Sequence, residues 1–317
     1  DGKEFFGDDA TAALKNLPAS VIDKIQVFDR LSDQAQLTGF DDGNSVKTVN
    51  IVTKSGIKNG QFGRIYAGAG TDSRYAAGGN VSFFKGDRRL SLVANFNNIN
   101  QQNFASQDLL GATSSSGGGG RGGGRGGMGG GSDNFNVGQS SGISKTNALG
   151  INFSNVYAKK LTLTGSYFFN NSHNTNESVT NTETFDDTKN RFSLQKSTSV
   201  NDNTNHRLNL RLEYKIDSSN SLFIIPNVSF QKSRSTSFSS QNIYEGLADS
   251  ISNLVTPKST SDRNGYNIRN NMFFRHSFPK RGRSLSVGFN TTFTKNDGES
   301  ISDTRYRFYD SLYAFAY

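Results

Sequence analysis

Between Ser284 and Thr294 the chain alternates with a period of two. Leu285, Val287, Phe289, Thr291 and Phe293 fall on one face, and Ser286, Gly288, Asn290, Thr292 and Thr294 on the other. Side chains that alternate in this way belong to a strand with one apolar and one polar face. The period recurs in His206–Ile216, where Leu208, Leu210, Leu212, Tyr214 and Ile216 oppose Asn209, Arg211, Glu213 and Lys215. It returns in Leu161–Phe169, Leu90–Phe96 and Tyr75–Phe83, more loosely in Asn147–Tyr157, Leu222–Phe230 and Tyr266–His276, and most weakly in Gln61–Thr71. These are nine strands, most of them 9–13 residues long. At about 3.3 Å per residue and a tilt near 45°, such strands cross an apolar band about 25 Å thick.

The connections carry a second, independent signal. Lys85–Asp87, Lys159–Lys160, Asp217–Asn220 and Pro279–Arg283 read as tight turns. Long polar segments at about 101–145, 172–205 and 233–265 read as loops between the other neighbours. Strict alternation of short and long connections is the habit of outer-membrane barrels. The expected fold is therefore mainly β, an antiparallel transmembrane β-barrel of which about nine or ten strands are present.

Composition agrees with a membrane strand protein and with little else. Hydrophobic residues make up 33% of the 317, against the roughly 45–50% usual in soluble domains. Yet 25 Phe and 11 Tyr are too many for a plain disordered chain. The longest apolar run is Leu312–Tyr317, far short of the about 20 residues of a spanning helix. Strands avoid that requirement, because only every second residue need be apolar. With no cysteine, disulfide frameworks, zinc ribbons and thiol nucleophiles are excluded. Asp1–Asp9 is acidic and does not read as a signal peptide.

Residues 1–56 differ from the rest. Ala10, Ala13, Leu14 and Leu17 give Asp9–Leu17 a helical spacing that Pro18 ends. Val21–Phe28 and Val46–Thr53 are β-branched strand candidates around a polar segment containing Gly39 and Gly43. Leu14–Phe28, LKNLPASVIDKIQVF, followed by Val49–Gly56, VNIVTKSG, resembles the second half of the plug domain of TonB-dependent outer-membrane receptors. The positions that carry the resemblance are Leu17, Pro18, Ile22, Ile25 and Val27, then Val49, Asn50, Ile51, Val52, Thr53 and Lys54. Asp29–Phe40 echoes a further family stretch at Arg30, Leu37 and Gly39 but lacks the glycine after the arginine.

The resemblance implies a small α+β plug segment over 1–56 and the N-terminal portion of a barrel over 57–317, with the long loops extracellular. It implies a receptor of the Gram-negative outer membrane that imports a solute, energised by a TonB-type complex through a segment preceding this one. Nine strands cannot close alone, so the chain is expected to be part of a longer one. The lipid bilayer and an unidentified solute are the implied partners, and a surface lipoprotein is a further candidate. On this reading Leu208, Leu210, Leu212, Leu285, Val287 and Phe289 face lipid, while Asn209, Arg211, Glu213, Asn290 and Thr292 face the lumen. A structural or secretion-associated barrel without active transport is the alternative.

Nothing in the sequence points to an enzyme or to a cofactor. His173, His206 and His276 have no metal-ligand spacing. Asp41–Asp42–Gly43–Asn44 lacks the glutamate of a calcium loop and reads as a turn. Asn-x-Ser/Thr sequences at Asn80, Asn152, Asn176, Asn227 and Asn290 follow from a polar face of period two. Gly117–Gly131, with 12 glycines around Arg121 and Arg125, resembles an RNA-binding RGG segment. It is short and has no aromatic residue, so it is expected to be a flexible extracellular loop, with no nucleic-acid partner.

Overall fold

The computed structural model describes residues 22–32, 35–36, 41–54, 59–100, 142–185, 191–245, 251–280 and 283–309. They form a mainly β, wholly antiparallel structure in two sheets. The first is a ribbon of β1 (Ile22–Leu31) and β2 (Ser45–Thr53). The second has nine strands in chain order: β3 (Asn59–Ala69), β4 (Tyr75–Lys85), β5 (Arg88–Asn97), β6 (Ile143–Tyr157), β7 (Leu161–Thr184), β8 (Arg191–Lys215), β9 (Asn220–Glu245), β10 (Ile251–Ser277) and β11 (Ser284–Phe308). The sheet is open, with β3 and β11 at its edges.

The nine strands fall where the alternating segments lie, but the loops differ from expectation. Segments 172–205 and 233–265 are strand for most of their length, and Lys295–Phe308 continues β11 where a polar loop is expected. The physical reason is that β propensity and backbone pairing do not need an apolar face. Asn, Ser and Thr occupy both faces of these extensions, so the alternation vanishes while the ladder continues. Ser178 still pairs with Ser197, and Ser237 with Ser259. The length asymmetry thus resides in long hairpins, β7 to β11 being 24–27 residues each. Of segment 101–145, the last three residues open β6. Residues 101–141 lie outside the described residues, as does the helix expected at 9–17.

Local chemistry fixes the tight turns. Gly86 has φ +58°, and its N–H donates to Asn59 Oδ1 at 2.8 Å. Asp217 Oδ1 accepts the N–H groups of Ser219 and Asn220 at 2.7 Å, and Oδ2 accepts Asn220 Nδ2 at 2.8 Å. The Asn220 amide and these N–H groups hold the Asp217 carboxyl below the usual aspartate range. Between β6 and β7, Ala158 and Lys159 stand at φ +48° and +56°, closed by Lys160 N–H to Tyr157 O at 3.0 Å. Such a turn favours Asn-Gly, since other L residues are strained in the left-handed region. Ala158→Asn with Lys159→Gly should therefore stabilise the protein by about 1–2 kcal/mol. A raised denaturation midpoint checks this, and an unchanged or lower midpoint contradicts it.

Two prolines interrupt the ladder on one side only. Pro226 pairs with Asn270 of β10, but its ladder with β8 lapses between Asn209↔Asn227 and Leu212↔Ile224. Pro257 pairs with Thr304 of β11, and its ladder with β9 lapses between Val255↔Gln241 and Lys258↔Phe238. Proline has no N–H to donate, so each gap sits where the donor is missing.

The hairpin ends are staggered in one direction. Arg89 pairs with Ser154, Leu161 with Tyr214 and Ser221 with Arg275. The closing pairs Lys85–Arg88, Tyr157–Leu161, Lys215–Ser221 and Ser277–Ser284 consequently step by two, one and two residues along the sheet. At about 3.3 Å per residue and 4.8 Å between strands, this inclines the strands by about 30° from the perpendicular to the line of the turns.

Candidate functional site

Following the register from strand to strand separates the sheet into two faces of opposite character. Fifteen polar side chains are buried among the described residues, and all fifteen lie on one face. In β3 to β10 every large apolar side chain exposed to solvent lies on the other face, from Ile65 at 81% to Phe83 at 38%. Phe84, Val93, Ala148 and Phe168 are buried on the same face as the fifteen, so what sets the sheet apart is an apolar face left open where a soluble protein would cover it. The main contacts of the sheet run only between neighbouring strands. Among the described residues no other element packs closely over the polar face.

The apolar face is a band of five rows beside the tight turns. Its first row is Tyr157, Leu161, Tyr214, Leu222, Phe274 and Val287. Leu212, Ile224, Met272 and Phe289 share the next, Leu210 stands in the middle row, and Leu208 follows with Tyr167, Val228, Ile268 and Phe293. The fifth row is largely aromatic: Leu149, Phe169, His206, Phe230 and Tyr266. Phe169 and His206 have ring centroids 5.1 Å apart, Phe230 and Tyr266 6.2 Å, and Tyr167 Oη bonds His206 Nδ1 at 2.8 Å. Two rows further, Lys145, His173, Asp202, Arg234, Asp262 and Glu299 form a charged line, with His173 Nδ1 2.7 Å from Asp202 Oδ1. Five rows extend about 27 Å along a strand, or about 23 Å at an inclination of 30°.

The polar face holds Asn209, Arg211 and Glu213 of β8 and Asn290 and Thr292 of β11. The row through Asn209 takes one residue from each of the nine strands: Phe62, Ser82, Ser91, Asn152, Ser166, Asn209, Asn227, Arg269 and Thr292. Neighbours in it bond laterally, Ser82 Oγ to Ser91 Oγ at 2.8 Å and Asn209 Nδ2 to Ser166 Oγ at 3.3 Å. Arg211 Nε donates to Glu213 Oε1 at 2.7 Å, and its guanidinium lies 5.9 Å from the Phe223 ring centre. The asparagines of these Asn-x-Ser/Thr sequences stand on this face, including Asn176, which β7 carries.

The chain matches no known family model and no curated protein.

In the ribbon, Ile25 pairs with Ile51 and Val27 with Val49, which puts these four on one face, with Ile25, Val27 and Val49 exposed and Ile51 half-buried. Asn50 Nδ2 donates to Gln26 Oε1 at 2.8 Å on the other. Ile22 pairs with Thr53 where β1 begins, and Lys54 follows β2. Leu17 and Pro18 lie outside the described residues, as do Gly117, Arg121, Arg125 and Gly131 of the glycine-rich segment. The acidic turn binds its own backbone. Asp41 Oδ1 accepts Gly43 N–H at 2.9 Å, and Asp42 accepts Ser32 Oγ at 2.6 Å and Asn44 N–H at 3.0 Å. The Ser32 hydroxyl and the Asn44 amide hold the Asp42 carboxyl below its usual range.

Among the described residues no group of three His, Asp or Glu side chains could hold a metal ion. The histidines are not isolated, as the sequence suggests, but bonded across strands: His276 Nδ1 lies 2.8 Å from Asn220 Oδ1, beside the His173 and His206 pairs above. What the sequence does not disclose is the crossing order that aligns Phe169, His206, Phe230 and Tyr266. Their common row depends on register, and the one hint of it in the sequence is that each of the four stands at an end of its alternating run.

Proposed function

We propose that this chain is the second half of a plug and the first part of a barrel of a TonB-dependent outer-membrane receptor. The observation that carries the reading is the exposed apolar face of the nine-stranded sheet. A surface that keeps Leu, Val, Ile and Phe outward over a band about 23 Å high suits hydrocarbon, with the polar face toward water. The aromatic row at the edge of the band corresponds to the girdles at membrane interfaces. An inclination of about 30° is close to the roughly 35–45° of such barrels. The open edges at β3 and β11 require further strands, since unpaired backbone groups are not tolerated in lipid.

On this reading the long ends of the hairpins stand outside the cell and the tight turns in the periplasm of a Gram-negative bacterium. The ribbon β1–β2 supports the plug resemblance through the spacing of Ile25, Val27, Val49 and Ile51. The solute passes on the side of Asn209, Arg211, Glu213, Asn290 and Thr292, with no covalent chemistry. The test is capture of the full-length protein by the periplasmic domain of TonB, together with solute accumulation that stops when the proton gradient is collapsed. Retention and loss of accumulation are expected. A full-length barrel that is not retained would instead be the structural or secretion-associated alternative.

A further inference from the structure

We propose that the polar face around Asn209 recognises a solute bearing carboxylate or phosphate oxygens, an inference that rests on that face being the lumen. The Asn209 row and the row on either side carry Arg64, Arg89, Arg207, Arg211 and Arg269. Among the described residues those three rows contain no carboxylate. Glu213, one row further, is engaged by Arg211. A lumen selected only for water solubility would mix both signs of charge. Here one sign dominates the centre of the face.

Three of the arginines surround a point. Arg207 and Arg211 flank Asn209 along β8, and Arg269 ends the cross-strand line Asn209–Asn227–Arg269 on β10. From strand spacing and rise, their Cα atoms form a triangle with sides of about 12–13 Å. Arginine side chains can converge on one ligand from that distance. The guanidinium fork matches carboxylate and phosphate oxygens in bidentate pairs.

A second observation points the same way. Asn152 Nδ2, in the Asn209 row, and Asn205 Nδ2, beside Arg207 on the same face, are buried without a hydrogen-bond partner, with the residues 4% and 6% exposed. Both are donors; the other unpartnered atoms among the described residues, Arg275 Nε and Ser261 Oγ, lie three and four rows from Arg269 along this face, and Asn270 Oδ1 lies on the opposite face. Buried polar groups are nearly always satisfied, and what would satisfy these is a ligand rich in acceptor oxygens and poor in donors.

The test is calorimetric titration of the detergent-solubilised full-length protein with citrate, inorganic phosphate and sucrose, at low salt to limit screening. Citrate or phosphate should bind, and which one does tells carboxylate from phosphate. Sucrose should not bind. Arg207→Gln and Arg269→Gln should each weaken anion binding by about tenfold, the loss expected for one charge-assisted pair. Arg269→Lys keeps the charge but loses the fork, so it should bind more weakly than the parent and more tightly than Arg269→Gln, which separates loss of charge from loss of fold. Absence of binding by both anions, sucrose binding as tightly as citrate, or Gln variants that bind like the parent would each overturn the proposal. If accessibility at positions 209 and 210 still alternates as the membrane reading requires, that reading survives such a failure. If it does not, both fall.

Discussion

Leu210→Arg in the full-length protein should lower the amount of folded protein in the membrane by about 30-fold or more, while Asn209→Arg leaves it near the parental level. Leu210 stands in the middle row of the five-row apolar band, between Gly165 and the gap that Pro226 makes in the ladder. It lies over Gly165, so close that a Cβ on the glycine would come within 2.5 Å of Leu210 Cδ2. An arginine at the midplane of a lipid-facing strand costs about 2–4 kcal/mol, and about 1.4 kcal/mol corresponds to a tenfold change. Phe289→Arg should act in the same direction but less strongly, because Phe289 is one row nearer the boundary. Asn290→Arg faces water on this account and should be tolerated. Membrane fractionation with quantitation of folded protein reads all four. Equal levels for Leu210→Arg and Asn209→Arg would contradict the face assignment.

Gly142→Ala should destabilise the root of the β6–β7 hairpin by about 2–4 kcal/mol, through left-handed strain and a backbone clash together. Gly142 has φ +91°, and a Cβ there would sit 2.3 Å from Thr175 O and 2.7 Å from Asn176 Cα. Both obstacles are backbone, so no rotamer relieves them. The site is also held from the β5 side. Asn100 donates through Nδ2 to Gly142 O and accepts Ser144 N–H through Oδ1 at 2.6 Å. Denaturant unfolding, with hydrogen exchange at Ser144 and Thr175, should show the loss concentrated at this end of the sheet. A change below about 0.5 kcal/mol, the ordinary scale for an innocuous surface substitution, would contradict the assigned backbone.

The sheet was legible in the sequence where one face is apolar and one polar. Leu208–Leu212 and Leu285–Phe289 alternate so regularly that strand and face follow from spacing alone. The extensions of β7 to β11 were not legible, because Asn, Ser and Thr on both faces erase the period that reveals a strand. Register was hidden for a different reason. It arises from pairing between segments, so neither the polar row through Asn152, Asn209, Asn227 and Arg269 nor the aromatic row through Phe169 and Tyr266 exists in any one segment. Arg211 and Glu213 could be assigned a face from the sequence. That Arg207, Arg211 and Arg269 surround one point could not.

The most direct test of the membrane reading uses the absence of native cysteine. Single cysteines are placed at positions 209, 210, 289 and 290 of the full-length protein, with any cysteine outside these 317 residues replaced by serine, and labelled in intact membranes. Cysteine at 210 and 289 should react with a lipid-soluble maleimide and resist a charged, membrane-impermeant one, while cysteine at 209 and 290 should do the reverse. Equal reaction of the charged reagent at both parities would contradict a sheet that keeps one face in hydrocarbon and the other in water.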